Sequence, residues 1–182
     1  MKAYLCLAVA AILSSPFQSK PLDYDLQDYN EDVLRVINLE IYSSIEVTTE
    51  IKFKTTSTST DSYYYVVPRD LEHNHMSIQA KIPGQSDELI VTREDRVPII
   101  SKYTDKNASD LIFYRISLPK DGKNFYAITV KEHYKRRKEP FPAKIDIQDD
   151  MQIKFQDSKY YLSLYPTKTQ RLHLVYDAQS TM

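Results

Sequence analysis

With 182 residues and a formal net charge of −1, the chain has the size of one domain, which buries about two-thirds of its unfolded surface and needs no disulfide or metal to hold a core. The balanced charge gives nucleic acid or anionic lipid no global electrostatic claim as a partner. Two glycines are too few for phosphate-cradling loops, whereas 15 tyrosines against 6 phenylalanines and no tryptophan suit half-buried pleated faces.

The N-terminus reads as a targeting signal over residues 1–19. Lys2 supplies a positive n-region, and Ala3 to Leu13 is an apolar run ending at Ser14, Ser15 and Pro16. That run is shorter than the roughly 20 residues a membrane span needs and fits a signal-peptide h-region better than a buried helix. The single cysteine, Cys6, lies inside it, so a processed chain has neither disulfide nor thiol nucleophile. Residues 20–29 form a polar, acidic lead-in.

From Asn30 the pattern turns to strands. Val33 to Ile41 alternates, a turn or bulge is expected at Tyr42–Ser43, and Ser44 to Lys54 alternates strictly. Ile45, Val47, Thr49, Ile51 and Phe53 face one way, as in a strand with one buried face. After the polar loop Thr55–Ser62 come Tyr63–Val67, Met76–Ile82, Glu88–Thr92 and Leu111–Leu118, separated by turns at Pro68, Pro83–Gly84 and Asp121–Gly122. Asn124 to Tyr134 follows, with Tyr126, Ile128, Val130 and Tyr134 on one face. Shorter candidates are Lys144–Ile147, Gln152–Phe155, Tyr160–Leu164 and Arg171–Tyr176. About ten short strands with regular turn signals and no crossover helices predict an all-β, antiparallel β-sandwich over residues 30–182.

The search for chemistry yields little. Asn107–Ala108–Ser109 is an N-glycosylation sequon in a polar loop. His73 and His75 could share a strand face, but no further ligands follow at metal-binding spacing; the expectation is solvated loop histidines, with His133 and His173 alone in strands. The acidic pairs Asp87–Glu88, Glu94–Asp95 and Asp149–Asp150 are adjacent residues, which on a strand point to opposite faces and cannot flank one bond. No nucleophile elbow, zincin motif or Walker loop occurs. Thus no catalytic, cofactor or metal residue is expected. The block Lys135–Arg136–Arg137–Lys138 reads either as a contact for anionic headgroups or pyrophosphate or, in preference, as a solvated tip guarding a sheet edge. Of Tyr63, Tyr64 and Tyr65, alternation buries at least one, favouring core packing over a sugar-stacking platform.

Three islands are more specific. Tyr165–Pro166–Thr167–Lys168–Thr169–Gln170, preceded by Tyr160, Tyr161 and Ser163, resembles the Y-x-x-P-Y-x-T-K-T-Q-type block of the ribophorin I family, departing from it at Ser163–Leu164. Asn30–Glu31–Asp32–Val33 resembles the start of that family's mature luminal region. Tyr134, Pro140–Phe141–Pro142 and Ile145 resemble its Y…P-Y-P…I segment, with Phe141 where tyrosine is common. The resemblance implies a non-catalytic subunit of the oligosaccharyltransferase complex, a type I membrane protein on the luminal side of the endoplasmic reticulum. Its partners would be the other subunits, including the multi-spanning catalytic one, and nascent polypeptides, without nucleic acid or cofactor. This chain would correspond to the first luminal domain, with the family's second luminal domain, transmembrane helix and cytosolic tail not included; membrane association would run through the complex or the missing anchor. Within the hexapeptide, Pro166 would set a strand boundary, with subunit docking as the functional alternative. Two other classes stay open: a free secreted sandwich binding glycans or protein, and the N-terminal sandwich of a metallopeptidase, whose defining zinc helix has no counterpart here.

Overall fold

The computed structural model describes residues 27–39, 44–94, 110–141, 152–158 and 160–176. The expected signal segment, the Tyr42–Ser43 turn, Asn107, the Lys144–Ile147 strand, Glu94's neighbour Asp95 and the Asp149–Asp150 pair lie outside these residues.

The described chain is built from strands and one 3-10 turn. In order they are β1 (Tyr29–Asn38), β2 (Ser44–Lys54), β3 (Ser62–Pro68), the turn Arg69–Leu71, β4 (His75–Lys81), β5 (Glu88–Leu89), β6 (Val91–Glu94), β7 (Leu111–Ser117), β8 (Phe125–Lys135), β9 (Lys138–Phe141), β10 (Gln152–Phe155) and β11 (Thr167–Val175). A six-stranded sheet runs β11-β1-β2-β8-β4-β5, a three-stranded sheet runs β3-β7-β6, and β9 pairs with β10 alone. Among the described residues, no helix is long and apolar enough to cross a membrane.

The two larger sheets face each other across one core, as alternation requires. Val33, Ile51, Phe53, Ile128 and Val130 from the large sheet meet Tyr63, Tyr65, Val67, Ile112 and Ile116 from the small one. A second cluster, Ile37, Ile45, Val47 and Tyr134, lies beside Phe155 and Leu172. On β2 all five residues assigned to the inner face, Ile45, Val47, Thr49, Ile51 and Phe53, are buried. The all-β sandwich read from the period of two is therefore the observed fold.

Four details depart from the expected strands. First, β1 begins at Tyr29, inside the segment read as lead-in, and carries a register shift between Asn30 and Asp32. Asp28 is also engaged, its Oδ1 accepting from Thr55 Oγ1, Thr56 N and Thr56 Oγ1. Second, β11 lies parallel to β1. A parallel pair needs a long connection rather than a hairpin, and here the intervening strands of the sandwich lie within it. Third, the run Glu88–Thr92 is split: β5 pairs with β4 and β6 with β7, so the chain changes sheets at Ile90. Fourth, Tyr160–Leu164 is no strand. Only Ser163 makes a bridge, to Tyr65, and side chains hold much of the remaining backbone. The turns at Gly84 and Gly122 have φ of +82° and +71°, in the region glycine occupies without strain.

Candidate functional site

Two buried polar clusters are built by residues from distant parts of the chain. The first is a seam joining the start of β1 to the start of β11. Asn30 is fully buried (0% exposed), which costs free energy unless its amide is satisfied. Its backbone N–H donates to Pro166 O (2.8 Å), and its Nδ2 donates to Ser163 Oγ (3.0 Å) and Thr167 Oγ1 (3.1 Å). Its Oδ1 accepts from the Tyr63 hydroxyl (3.2 Å). Pro166, which has no N–H to contribute to a ladder, stands immediately before β11.

Aromatic packing closes this seam. The Tyr165 ring stacks on Tyr63 (4.8 Å, 25°) and meets Phe53 edge-on (4.8 Å, 60°), and its hydroxyl accepts from Tyr64 N–H (3.2 Å). Gln170 Oε1 accepts from Tyr161 N–H (3.0 Å). Lys168 Nζ sits 4.3 Å from the centre of the Tyr29 ring and donates to the Tyr29 hydroxyl (3.2 Å). Thr169 stands opposite Asp32 in the parallel register and is exposed. Two of the three islands of the sequence, 30–33 and 165–170, are thus one structural feature.

The second cluster surrounds Glu132, 1% exposed on the inner face of β8. The Tyr65 hydroxyl donates to its Oε2 (2.6 Å) and the Tyr134 hydroxyl to its Oε1 (2.5 Å), lengths typical of O–H···O⁻ bonds. The Tyr65 hydroxyl also bonds Thr49 Oγ1 (3.1 Å). Burial raises the Glu132 pKa, and the two tyrosine hydroxyls and Arg35 oppose that rise. The Tyr134 hydroxyl is pushed far up by burial and by the neighbouring Glu132 charge. His75 Nε2 lies 3.6 Å from Glu132 Oε1, and Tyr114 OH is 3.2 Å from His75 Nδ1. Burial, with Arg93, lowers the His75 pKa, so the ring is neutral at pH 7. When Tyr114 donates to Nδ1, the proton on Nε2 faces the carboxylate.

Nearby, Asp157 sits between two guanidinium groups, with Arg35 Nη2 at 3.1 Å and Arg137 Nη1 at 3.5 Å. The same arginines hold the backbone on either side of Asp157. Arg137 Nη2 donates to Gln156 O (2.9 Å) and Arg35 Nη1 to Ser158 O (3.5 Å). Glu132 and Asp157 as carboxylates balance Arg35 and Arg137, so the cluster closes to zero net charge. Such a set positions elements and holds residues 156–158 against the sandwich, and it presents no nucleophile with an adjacent base.

The family model described as Ribophorin I matches residues 29–181. The chain belongs to the ribophorin I family. The match starts at the first residue of β1 and contains both buried clusters, so the ribophorin I assignment covers the whole described sandwich. Among solved structures, that of yeast LTA4 hydrolase in complex with bestatin is similar at 7% identity and a TM-score of 0.35, over 65% of this chain and 17% of that one. At those values the likeness carries no functional implication.

The basic block is divided. Lys135 and Arg136 are exposed, and Arg136 takes a left-handed φ of +54°, an uncommon conformation for a non-glycine residue. Its turn sends Arg137 inward, where the side chain is 6% exposed and lies over the Tyr134 and Phe155 rings at 5.1 and 5.2 Å. Lys138 opens β9. The four side chains therefore do not form one solvent-facing patch, because Arg137 finds a carboxylate and two rings inside.

Two of the four histidines depart from expectation, while His73 is an exposed turn residue and His173 an exposed strand residue, as expected. His75 belongs to β4 and is packed against Glu132, Tyr114 and Tyr134, whereas a solvated loop residue was expected. His133 is not alone, with Ser77 Oγ 3.1 Å from its Nδ1 and Glu46 Oε2 3.3 Å from its Nε2. Among the described residues no group of three His, Cys, Asp or Glu side chains could hold a metal ion. Asp87 and Glu88 are exposed, while Tyr63 and Tyr65 are buried in the core.

Sequence reasoning missed Glu132, although the signal was present. The alternation that put Tyr126, Ile128, Val130 and Tyr134 inside also puts residue 132 inside, and a carboxylate on the apolar face of a strand calls for partners. Arg35, on β1 two strands away in the large sheet, and Asp157, outside any strand, carried no such local sign.

Proposed function

We propose that this chain serves as a non-catalytic luminal part of the oligosaccharyltransferase complex, supporting transfer of a dolichyl-pyrophosphate-linked oligosaccharide to Asn-x-Ser/Thr in nascent proteins. The observation that carries this reading is membership of the ribophorin I family over residues 29–181, a family associated with that complex through non-catalytic subunits. The buried clusters support it, because both tie distant parts of the chain together and organise the sandwich, as an architectural subunit requires. On this reading residues 1–19 are a cleaved signal, residues 30–182 a luminal domain in the endoplasmic reticulum, and Asn107 a glycan acceptor. The partners are the multi-spanning catalytic subunit and other members of the complex.

Within the hexapeptide the roles divide by exposure. Tyr165, Pro166, Thr167 and Gln170 act through the seam, while Lys168 and Thr169 present the surface through which a neighbouring subunit docks. The test is affinity purification of the tagged chain from gently solubilised endoplasmic reticulum, with partners identified by mass spectrometry. Recovery of the catalytic subunit is expected. Failure of this chain together with a version extended through a membrane anchor would overturn the subunit reading and favour a free binding module.

A further inference from the structure

Among the described residues β11 pairs only with β1, so its far side forms one edge of the large sheet. In a parallel pair the partner takes the N–H and C=O of alternate residues. The Leu39 N–H on Val175 O (2.8 Å) sets that phase, so the backbone groups of Leu172 and Leu174 point away from β1. An edge with outward N–H and C=O groups is a template for another strand.

The side chains beside those groups define what such a strand would carry. Cross-strand neighbours share a face, and Leu174 stands opposite the buried Ile37. The core-side row of β11 therefore runs Gln170, Leu172 and Leu174, with Tyr176 next at the same spacing. Leu172 packs on the second core cluster, yet Leu174 is 50% and Tyr176 59% exposed. The apolar face thus runs to the rim and is left half exposed there. The other row presents Thr169, Arg171 and His173, all exposed. Asp32 meets both Arg171 (2.6 Å) and Lys52 (3.8 Å), so that trio carries one positive charge in excess. A complementary strand sets apolar residues on the core side and carboxylates on the other. A second copy does not meet this need: β11 (TKTQRLHLV) holds no carboxylate, and antiparallel pairing about its midpoint sets Arg171 against Arg171, like charges directly opposite.

We infer that the far edge of β11 is a strand-addition site for an extended polypeptide segment in which apolar and acidic residues alternate. The inference stands on the sheet edge alone and is independent of the subunit assignment. Amide hydrogen exchange of the ¹⁵N-labelled chain, followed by NMR, tests it with two synthetic peptides as long as β11. One alternates valine with glutamate and the other valine with lysine. Leu174→Pro removes an outward N–H at an edge position that tolerates proline, and unchanged amide signals in β1 and β2 check its fold. The expected result is slower exchange at Leu172 and Leu174 with the glutamate peptide, abolished in the Leu174→Pro chain. The lysine peptide should bind roughly threefold to tenfold more weakly, from the loss of two cross-strand charge pairs. Equal binding of the two peptides, binding of neither, or binding that survives Leu174→Pro overturns the inference. Slow exchange at Leu172 and Leu174 without peptide also overturns it, assigning the edge to a second copy where the protection grows with protein concentration and to the chain itself where it does not.

Discussion

Around Asn30 the buried polar groups are neutral, an amide shared among hydroxyls and a backbone carbonyl; around Glu132 they are charged. The neutral seam can lose one hydroxyl and leave only a modest defect, because each bond in it is worth about 1 kcal/mol net. The charged cluster has no such tolerance. Removing Glu132 strands two hydroxyls, and removing Asp157 strands two guanidiniums, and the penalty is that of the uncompensated buried group rather than of the lost contact. The same sandwich thus holds a forgiving joint between its chain ends and an unforgiving one beneath residues 156–158.

The largest effect expected from that contrast is at Glu132. Glu132→Ala removes the acceptor of both Tyr65 and Tyr134 and should destabilise the domain by about 3–5 kcal/mol, measured by urea unfolding. Glu132→Gln keeps an acceptor for one tyrosine but not the charge, and should fall between wild type and the alanine variant. A loss below about 1 kcal/mol for Glu132→Ala would mean that water reaches the cluster and that the two regions do not differ in kind.

High pH tests both regions at once. Burial pushes the Tyr63 hydroxyl up to about 12, with hydrogen-bond interactions with Tyr161, Ser163 and Asn30 acting against it. Tyr65, Tyr134, Tyr161 and Tyr165 are shifted in the same direction, each chiefly by burial. A group whose folded pKa lies above its unfolded value contributes stability that is fully present below the unfolded value and is lost as pH rises through the folded one. Stability should therefore decline from pH 10 upward. Tyr63 alone accounts for roughly 2 kcal/mol by about pH 12. Phenolate absorbance should rise cooperatively with the loss of strand signal in circular dichroism. If these tyrosines instead ionised near pH 10 with the fold intact, the interior would be far wetter than the seam and cluster require.

A smaller effect is expected inside the seam. Tyr165→Phe keeps the ring contacts with Phe53 and Tyr63 and removes only the acceptor of Tyr64 N–H. It should cost about 1 kcal/mol, read from the same unfolding curves, against roughly 3–5 kcal/mol for Tyr165→Ala, which empties the aromatic stack.

What could be read in advance follows from how local each signal is. Strands with one buried face announce themselves through a period of two, which is why Ser44–Lys54 has the expected limits and why the core was legible. The parallel pairing of β1 with β11 was not, since nothing within either strand encodes a partner more than a hundred residues away. Nor was the change of sheet at Ile90, because Glu88–Thr92 reads as one run until β4 and β7 each claim a part. The islands 30–33 and 165–170 were legible separately; their union at Asn30 needed coordinates. The basic block misled because charge density says nothing about direction, and the left-handed turn at Arg136 that buries Arg137 leaves no mark in composition.

The smallest effect on stability, and the one that separates architecture from docking, is expected at Lys168 and Thr169. Thr169 is exposed and Lys168 covers the Tyr29 ring from outside, a cation–π contact of about 0.5–1 kcal/mol at an exposed site. Lys168→Ala with Thr169→Ala should therefore shift the unfolding free energy by no more than about 1 kcal/mol. If these two side chains face a neighbouring subunit, the doubly substituted chain should fold as the wild type does yet lose the catalytic subunit in affinity purification. Loss of the fold would instead assign them to the seam with Tyr165 and Gln170. Retention of both fold and partner would leave the hexapeptide wholly architectural, its exposed half as tolerant as the neutral joint it belongs to.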